Sequence, residues 1–511
     1  MNLKTTALTL ICMLAACSDE PRGLKLGSGL ARSLTVAPGG GAVAFLVDAV
    51  HPDDRAVPDD LLLGDLWMGP IDKPAKHVGA GVPSSPGPGG WAFSADGSEL
   101  ALLANFRFRA GEGELWVGKP GQAPTQVAAA VSEFAWSPKG ALAYLARNQL
   151  VVRTAGGAKT IVVPLEGVRT FTWSPDGARL AARGSASTGG RLWLVDAESG
   201  QKREVASGSS DYSFAPDGTL GVLGPPSAKG GDRSLLLSSP TDLTPARELA
   251  RATAFAFAPS GPDLALLSTE KQPGEAFGEL SRMPRTGGNR QLLGQKTSEF
   301  RFTPAGDLLF LSRYDVRARA GTLTYAPAGG APREIAGKVQ SFVVGPQGKR
   351  VLYLVQSVQK GDYKIELWTV ALGAAGGAGP RKIDEGVYGY QLTPDGATLF
   401  WKARCAGGPR SCSLLRAPID GSQAPIFLVS NVAGFDLSKD GARVLIEEPH
   451  RGATNAVDLA VIPALGPAQE RVKPFALEVD PSSRFADDQG KRAVFATLRA
   501  GSGAVYSAEV P

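Results

Sequence analysis

The sequence predicts an all-β protein of the β-propeller class, built from about eleven four-stranded blades. A short motif returns about every 45 residues along the chain. Each copy but the last is followed by segments typical of three further strands. The 64 glycines and 38 prolines among 511 residues supply the dense turns that short strands need. Four strands per unit at this spacing indicate propeller blades.

The motif reads aromatic, any residue, aromatic, Ser-Pro-Asp-Gly, then an apolar run, as in FTWSPDGARLAAR at 171–183. The two aromatic positions share one face of a first strand, because successive side chains of a strand alternate. Asp-Gly forms a tight turn, since Gly tolerates positive φ and Asp caps the turn backbone. The second aromatic position is held in the eleven copies by Val36, Phe93, Trp136, Trp173, Phe214, Phe257, Phe302, Val344, Leu392, Leu437 and Phe485.

A third strand follows a variable loop, and a fourth strand such as KREVA follows a Gly-rich turn. Four tryptophans share one third-strand position: Trp67, Trp116, Trp193 and Trp368. We expect residues repeated at one blade position to pack in the core rather than to stack on a sugar. The repeats resemble the PD-type propeller repeats of the TolB-like family, which overlap with WD-repeat-like proteins, over residues 24–511. The resemblance implies a periplasmic scaffold role, but no partner-binding residue can be carried over, and propellers host unrelated functions.

Eleven blades exceed the four to eight that one propeller usually has. We therefore expect two packed propellers, one of about six blades in 31–285 and one of about five blades in 286–511. A single oversized ring is the alternative. The last motif copy stops after its third strand, AVYSAEVP, whereas the sequence before the first copy is typical of a fourth strand. We expect that N-terminal strand, within 17–30, to complete the last blade and remove an exposed edge.

The N-terminus has the features of a signal peptide over residues 1–16. Its apolar run, 7–16, is too short to cross a bilayer but suits a signal-peptide core. The following Leu-Ala-Ala-Cys at 14–17 resembles a bacterial lipobox, which implies that Cys17 is lipidated and starts the mature chain. Ser18 in place of Asp implies an outer-membrane lipoprotein of the cell envelope, facing the periplasm or the outside. An ordinary secretory signal with a chance cysteine is the alternative.

The two remaining cysteines of the mature chain lie close together in WKARCAGGPRSCSLL. We expect Cys405 and Cys412 to form a disulfide in an oxidising compartment, which would stabilise the fold by about 2–3 kcal/mol. A metal site at this pair has no further Cys or His nearby. The three histidines, His51, His77 and His450, are far apart in sequence. We therefore expect no metal and no cofactor.

The charge and the motifs of the sequence argue against two classes of function, nucleic-acid binding and enzymatic catalysis. The formal net charge is +5 and no long Lys/Arg run occurs, so we expect no nucleic-acid partner. No Gly-x-Ser-x-Gly motif is present, and no nucleophile is paired with a base in the sequence. We therefore expect the protein not to be an enzyme.

Two irregular loops are the candidate binding sites. The loop 48–65 carries Asp53, Asp54, Arg55, Asp59 and Asp60, a cluster suited to a basic partner or to Ca²⁺, although regular calcium-loop spacing is absent. A solvated loop is the alternative.

The second irregular loop alternates Phe106, Arg107, Phe108 and Arg109, which suits a protein-binding knob because Arg and aromatic residues dominate interface hot spots. An ordinary exposed hairpin is the alternative, and the Arg-rich segment 313–319 is expected on the same side. We expect a scaffold that binds an envelope protein. Small-ligand or glycan binding in the central channel is the second hypothesis. A sugar- or peptide-active enzyme, which needs a carboxylate pair, is the third.

Overall fold

The structure is a computed structural model that describes residues 23–52, 62–84, 87, 89–165, 167–185, 190–208, 211–225, 231–239, 246–269, 277–359, 362–373, 379–406, 408–451, 456–469, 473–481, 483–498 and 503–510. These residues form β-strands and turns, with two single-turn 3₁₀ helices at Phe108–Ala110 and Ala155–Gly157. No helix among them has the length and apolar character needed to cross a membrane. The predicted all-β class is confirmed.

The strands form antiparallel groups of four in which consecutive strands pair, and we call these groups blades one to eleven. Two long strands, β9 and β28, bend and serve two successive blades each. Blades one to four contain β2 (Ala31–Val36), β3 (Ala42–Val50), β4 (Leu63–Pro70), β5 (Lys76–Pro83); β6 (Trp91–Phe93), β7 (Leu100–Arg107), β8 (Glu112–Gly118), β9 (Thr125–Trp136); β9 again, β10 (Leu142–Ala146), β11 (Gln149–Arg153), β12 (Thr160–Pro164); and β13 (Val168–Trp173), β14 (Arg179–Gly184), β15 (Leu192–Asp196), β16 (Lys202–Ala206).

Blades five to eight follow the same order along the chain. They contain β17 (Asp211–Phe214), β18 (Leu220–Leu223), β19 (Arg233–Ser238), β20 (Arg247–Ala252); β21 (Ala254–Phe257), β22 (Asp263–Ser268), β23 (Gly278–Pro284), β24 (Gln291–Thr297); β25 (Glu299–Phe302), β26 (Leu308–Asp315), β27 (Ala320–Ala326), β28 (Arg333–Val344); and β28 again, β29 (Arg350–Gln359), β30 (Asp362–Ala371), β31 (Arg381–Glu385).

The last three blades include the N-terminal strand. They contain β32 (Gly389–Leu392), β33 (Thr398–Ala403), β34 (Cys412–Pro418), β35 (Ile426–Val432); β36 (Gly434–Leu437), β37 (Arg443–Pro449), β38 (Val457–Pro463), β39 (Ala476–Val479); and β40 (Arg484–Phe485), β41 (Arg492–Ala496), β42 (Ala504–Glu509), β1 (Leu24–Ser28).

The strand β1 supplies the fourth strand of blade eleven, the position that the sequence analysis expects it to fill. It pairs antiparallel with β42, with Leu24 opposite Ser507 and Ser28 opposite Ala504. Its one fully buried side chain, Leu26, is 1% exposed and packs in the cluster that joins blade eleven to blade one. The pairing covers the edge of β42 that the end of the chain would otherwise leave open.

The hydrophobic core is distributed between the blades rather than gathered in one centre. Each apolar cluster among the described residues combines side chains of two consecutive blades. Between blades six and seven, Leu280 packs with Leu308 and Phe310. Between blades eleven and one, Val494 packs with Phe45. Every blade thus buries both of its faces against its neighbours.

Long basic side chains add polar links between consecutive blades. Arg282 of blade six is 4% exposed, and its guanidinium donates to the carbonyl oxygens of Pro327 (2.8 Å), Gly306 and Ala326 (both 3.2 Å) in blade seven. Other blade pairs are linked by Lys76 to Gly121, Arg179 to Ser239, Arg247 to Arg285, Arg416 to Gly466 and Arg492 to Ile71. The last of these joins blade eleven to blade one.

These contacts bear on the expected division near residue 285. Two separate rings would part blade six from blade seven and blade eleven from blade one. Both pairs instead pack through the same kind of cluster as the other pairs. The described contacts therefore favour the single-ring alternative, and the domains 31–285 and 286–511 stay a prediction without support from this packing.

We predict that Leu26→Ala lowers the free energy of unfolding by about 2–4 kcal/mol, since the change leaves a cavity in the cluster between the first and last blades. Urea denaturation followed by circular dichroism measures the effect. Lys25→Ala, an exposed neighbour in the same strand, should change stability by less than about 0.5 kcal/mol. Equal effects of the two substitutions would contradict the closing role of β1.

Candidate functional site

The alternating direction of the strands gives the molecule two distinct faces. The motif turns between first and second strands lie on one face, with the turns between third and fourth strands; we call this the turn face. Connections between second and third strands, and from each blade to the next, lie on the opposite face, which we call the hairpin face. The irregular loops 104–114 and 313–319 belong to the hairpin face, as do the described ends of loop 48–65 and the Cys405–Cys412 hairpin.

The turn face is built from capped turns. The Asp176 carboxylate accepts hydrogen bonds from the Ser174 hydroxyl (2.6 Å) and the Ala178 N–H (3.0 Å), and Asp440 repeats this pattern in blade ten. The glycine that follows has positive φ, 67° at Gly177. Hydrogen bonds from the serine hydroxyl, then from the backbone, lower the pKa of Asp176 and of Asp440. The motif aspartates are therefore structural.

The predicted Phe-Arg loop forms the tip of the hairpin between β7 and β8. Phe106 is half-buried and packs against the cluster between blades two and three. Arg107 forms an ion pair with Glu112, and Phe108 and Arg109 lie in the 3₁₀ turn. Phe106 is thus a packing residue, while Arg107 and Arg109 are exposed on the hairpin face.

Several large apolar side chains are exposed on the same face. Val50 is 65% exposed at the end of β3, and Val316 is 62% exposed at the tip of the β26–β27 hairpin. Leu30 and Tyr388 add two more exposed side chains in blade-to-blade connections. The Val316 hairpin also carries Arg313, Arg317 and Arg319, and Arg313 forms an ion pair of 2.6 Å with Glu334. This combination of apolar side chains and arginines suits a protein interface.

Some of the predicted site residues lie outside the described residues. They are Asp53, Asp54, Arg55, Asp59 and Asp60 in loop 48–65, and the lipidation candidate Cys17. Cys405 and Cys412 are described and joined by a disulfide across the β33–β34 hairpin of blade nine.

The tryptophans and histidines form no binding site of their own in the described part of the chain. All eight tryptophans pack in or against interblade clusters, and Trp401 donates to Asp384 Oδ2 at 2.9 Å. His77 stacks edge-on against Trp67 at 5.9 Å, and His450 Nδ1 lies 2.6 Å from Asp458. No group of three potential metal ligands occurs among the described residues.

A row of polar side chains lies on the first strands of the last three blades. The residue between the two aromatic positions of the motif is Ala in blades two, three and six and Arg301 in blade seven, and it is Gln391, Asp436 and Arg484 in blades nine to eleven. Gln391 donates to the Phe435 carbonyl at 3.4 Å, which ties blade nine to blade ten. First strands of a propeller border its central channel, so these three residues form a polar row there.

Two further charged residues stand at positions that hold leucine in other blades. In the strand register, Glu447 lies opposite Gly434 and Lys402 opposite Gly389. The corresponding second-strand residues of blades six and seven are Leu267 and Leu311. A Cβ at position 434 would lie 2.1 Å from Glu447 Oε2, so the glycine makes room for the carboxylate.

These residues line two adjoining cavities. Gln391, Asp436, Glu447 and Arg484 border a cavity of about 350 Å³ between blades nine and eleven. Glu447 and Pro481 also border a cavity of about 650 Å³. The larger cavity reaches the hairpin face, because Arg410 and Leu498 belong to second-to-third-strand hairpins.

Burial raises the pKa of two acidic groups of this site. Burial raises the pKa of Glu447 to about 7; Arg484 and Lys402 oppose the shift, and Asp480 and Asp436 add to it. Burial also raises the pKa of Asp436, against the opposing charge of Arg484. Perturbed carboxyl groups in a cavity mark a candidate functional site. Glu133, in blade three, has a pKa raised by burial to about 7 as well, and its carboxylate accepts a 3.1 Å hydrogen bond from Thr170.

Comparisons with known proteins add only structural similarity. No family model matches the chain, and no curated protein matches it. Among solved structures, a eukaryotic initiation factor aligns with 78% of this chain and 87% of its own at 12% identity and a TM-score of 0.43. Sqt1 from Chaetomium thermophilum aligns with 65% of this chain and 97% of its own at 16% identity and a TM-score of 0.34. Porphyromonas gingivalis dipeptidyl peptidase 4 aligns with 88% of this chain and 60% of its own at 12% identity and a TM-score of 0.37. Similarities this low carry no argument about function.

The sequence analysis did not single out Glu447, Asp436 and Arg484. The sequence carries only a weak signal for them, since other copies also hold charges at the same positions, Arg301 in blade seven and Arg183 in blade four. Irregular loops are easier to recognise in a repeat than charged positions inside regular strands.

We predict that Asp176→Ala and Asp440→Ala each lower the free energy of unfolding by about 1 kcal/mol at neutral pH. Because the native pKa is lowered, the stabilisation is full above the ordinary carboxyl pKa and disappears as the pH falls through the native value. Urea denaturation between pH 7 and pH 3 measures the difference, which should shrink on acidification. Asp72→Ala, an exposed residue whose carboxylate has no hydrogen bond in the described structure, is the control and should show no such trend.

We predict that Glu447→Gln is more stable than the wild type at pH 8, by roughly 1–3 kcal/mol, since one pKa unit corresponds to about 1.4 kcal/mol. The native pKa lies above the ordinary value of 4.5. The wild type therefore loses stability as the pH rises from 4.5 through about 7, whereas the variant does not. The difference should vanish near pH 4.5, and Glu198→Gln, an exposed control, should show none. A variant less stable than the wild type at pH 8 would refute the burial argument.

Proposed function

We propose that the protein is a lipid-anchored β-propeller of the cell envelope that binds a protein partner on its hairpin face. The observation that carries the proposal is the collection of exposed apolar and arginine side chains on that one face. Val50, Val316 and Tyr388 project there together with Arg107 and Arg317. Loops held by a rigid scaffold are the usual carriers of recognition.

The direction of β1 supports an orientation in which the hairpin face points away from the membrane. As the fourth strand of blade eleven, β1 begins on the turn face and ends on the hairpin face. Six residues, 18–23, separate the lipidation candidate Cys17 from β1, a reach of at most about 20 Å. A lipid on Cys17 would hold the turn face toward the membrane, and the hairpin face would point away from it toward a partner.

Recognition by such a surface requires no chemical step. The proposal therefore includes no catalytic residue and no cofactor, and it leaves the interblade cores and capped turns in a purely structural role. The acidic residues predicted in loop 48–65 lie outside the described residues, and the proposal does not depend on them.

Site-specific photocrosslinking in intact cells tests the interface. A photoreactive phenylalanine analogue at position 316 should yield one reproducible protein adduct, because Val316 is 62% exposed on the hairpin face. The matched control is position 465 on the turn face, where Leu465 is 68% exposed. Adducts at both positions, or at neither, would contradict the proposed interface. Substituting Arg317 by Glu should reduce the adduct at position 316 several-fold, since arginine is a frequent hot-spot residue.

Lipid attachment is tested separately. Metabolic labelling with an alkyne fatty acid should mark the wild type and not Cys17→Ala. Cys12→Ala, which changes the other cysteine before β1, is the control and should keep the label. A label on both variants would contradict lipidation at Cys17 without bearing on the interface.

A further inference from the structure

The cavity between blades nine and eleven holds opposite charges that do not pair with each other. Arg484 and Glu447 both border the 350 Å³ space, and they attract each other electrostatically. Neither forms an ion pair within 4 Å in the described part of the chain. Arg484 donates to the Ser483 carbonyl at 3.0 Å, and no hydrogen bond to the Glu447 carboxylate occurs among the described residues. The cavity therefore presents a separated positive and negative end.

The neighbouring ammonium group of Lys402 forms no ion pair with Glu447 in the described part of the chain. Lys402 Nζ donates to the carbonyl oxygens of Ala433 and Pro409. Burial lowers the pKa of Lys402, with the charge of Glu447 opposing the shift. Its ammonium is thus held by backbone acceptors. The carboxylate of Glu447 remains available to a cation from outside, and Asp436, which interacts with the Gln391 side chain and the Leu437 backbone, borders the same cavity.

The rest of the lining adds a small apolar part to a mainly polar wall. Phe435, Leu445 and Pro481 border it beside the charged groups, and Leu445 is buried in the core between blades ten and eleven. A volume of this size lies within the range of small-molecule sites, and the mainly polar lining suits a polar, charged ligand. The adjoining 650 Å³ cavity gives a route from the hairpin face.

We propose that this cavity binds a free α-amino acid. The ligand's ammonium group is bound by the carboxylates of Glu447 and Asp436, and its carboxylate by the guanidinium of Arg484, in charge-assisted hydrogen bonds. Its side chain lies beside Phe435 and Pro481. This site lies in the channel and is independent of the partner surface proposed above, so either can fail alone.

Isothermal titration calorimetry with the purified full-length protein tests the proposal at pH 8, where Glu447 is ionised. The probes are L-leucine, L-leucinamide, which lacks the carboxylate, and N-acetyl-L-leucine, which lacks the ammonium group. We expect L-leucine to bind and each derivative to bind at least about tenfold more weakly, a difference of about 1.4 kcal/mol. Equal affinity for either derivative, or no binding of L-leucine at millimolar concentration, would overturn the proposal.

Variants connect the binding to the named residues. Glu447→Gln and Arg484→Gln should each weaken L-leucine binding by about tenfold or more. Two matched controls lie on first strands elsewhere in the ring. Glu133→Gln changes another carboxyl group whose pKa is raised to about 7, and Arg301→Gln changes an arginine that pairs with Glu299 at 2.9 Å. Both controls should bind L-leucine like the wild type, and a loss of affinity in either would contradict the assignment to blades nine to eleven.

Discussion

The pairing of β1 with β42 is the contact on which the rest of the architecture depends. Each blade lacks a core of its own and buries its apolar side chains against two neighbours, so an unfinished last blade would expose both its edge and one face. By supplying the fourth strand, β1 joins the start of the chain to its end and places Leu26 beside Phe45 of blade one. A closed circuit of equivalent contacts then stabilises every blade from both sides.

The alternating direction of the strands separates the molecule into a structural face and a variable face. The turn face repeats one type of turn, in which an aspartate such as Asp176 accepts hydrogen bonds from a serine hydroxyl and a backbone N–H. Because those turns fix the blade geometry, the opposite connections are free to differ in length and chemistry. The disulfide hairpin of blade nine and the Val316 hairpin of blade seven are two such variations. With the start of β1 on the turn face, a lipid at Cys17 would leave the variable face accessible.

Local repetition explains how much of this could be predicted from sequence. Motif spacing predicts the strands and the aspartate caps, and the unmatched ends of the chain predict β1 as the closing strand. The expected division near residue 285 came from the usual number of blades in a ring, a general tendency that the Arg282 contacts to blade seven do not follow. Glu447 and Gly434 are thirteen positions apart in sequence and become neighbours only through the strand register. No local sequence pattern shows that these two residues lie next to each other.

Ionised carboxyl groups have opposite effects on stability in the turn face and in the candidate site. Asp440 on the turn face is surrounded by donors that lower its pKa, so its charge stabilises the fold. Glu447, seven residues later, is partly buried without a donor, and its raised pKa means that ionisation costs stability at neutral pH. A charge that destabilises its own fold needs a counter-charge from elsewhere, and Arg484 lies in the same cavity without forming that pair. A ligand with both charges would satisfy the two groups at once, which the protein alone does not do.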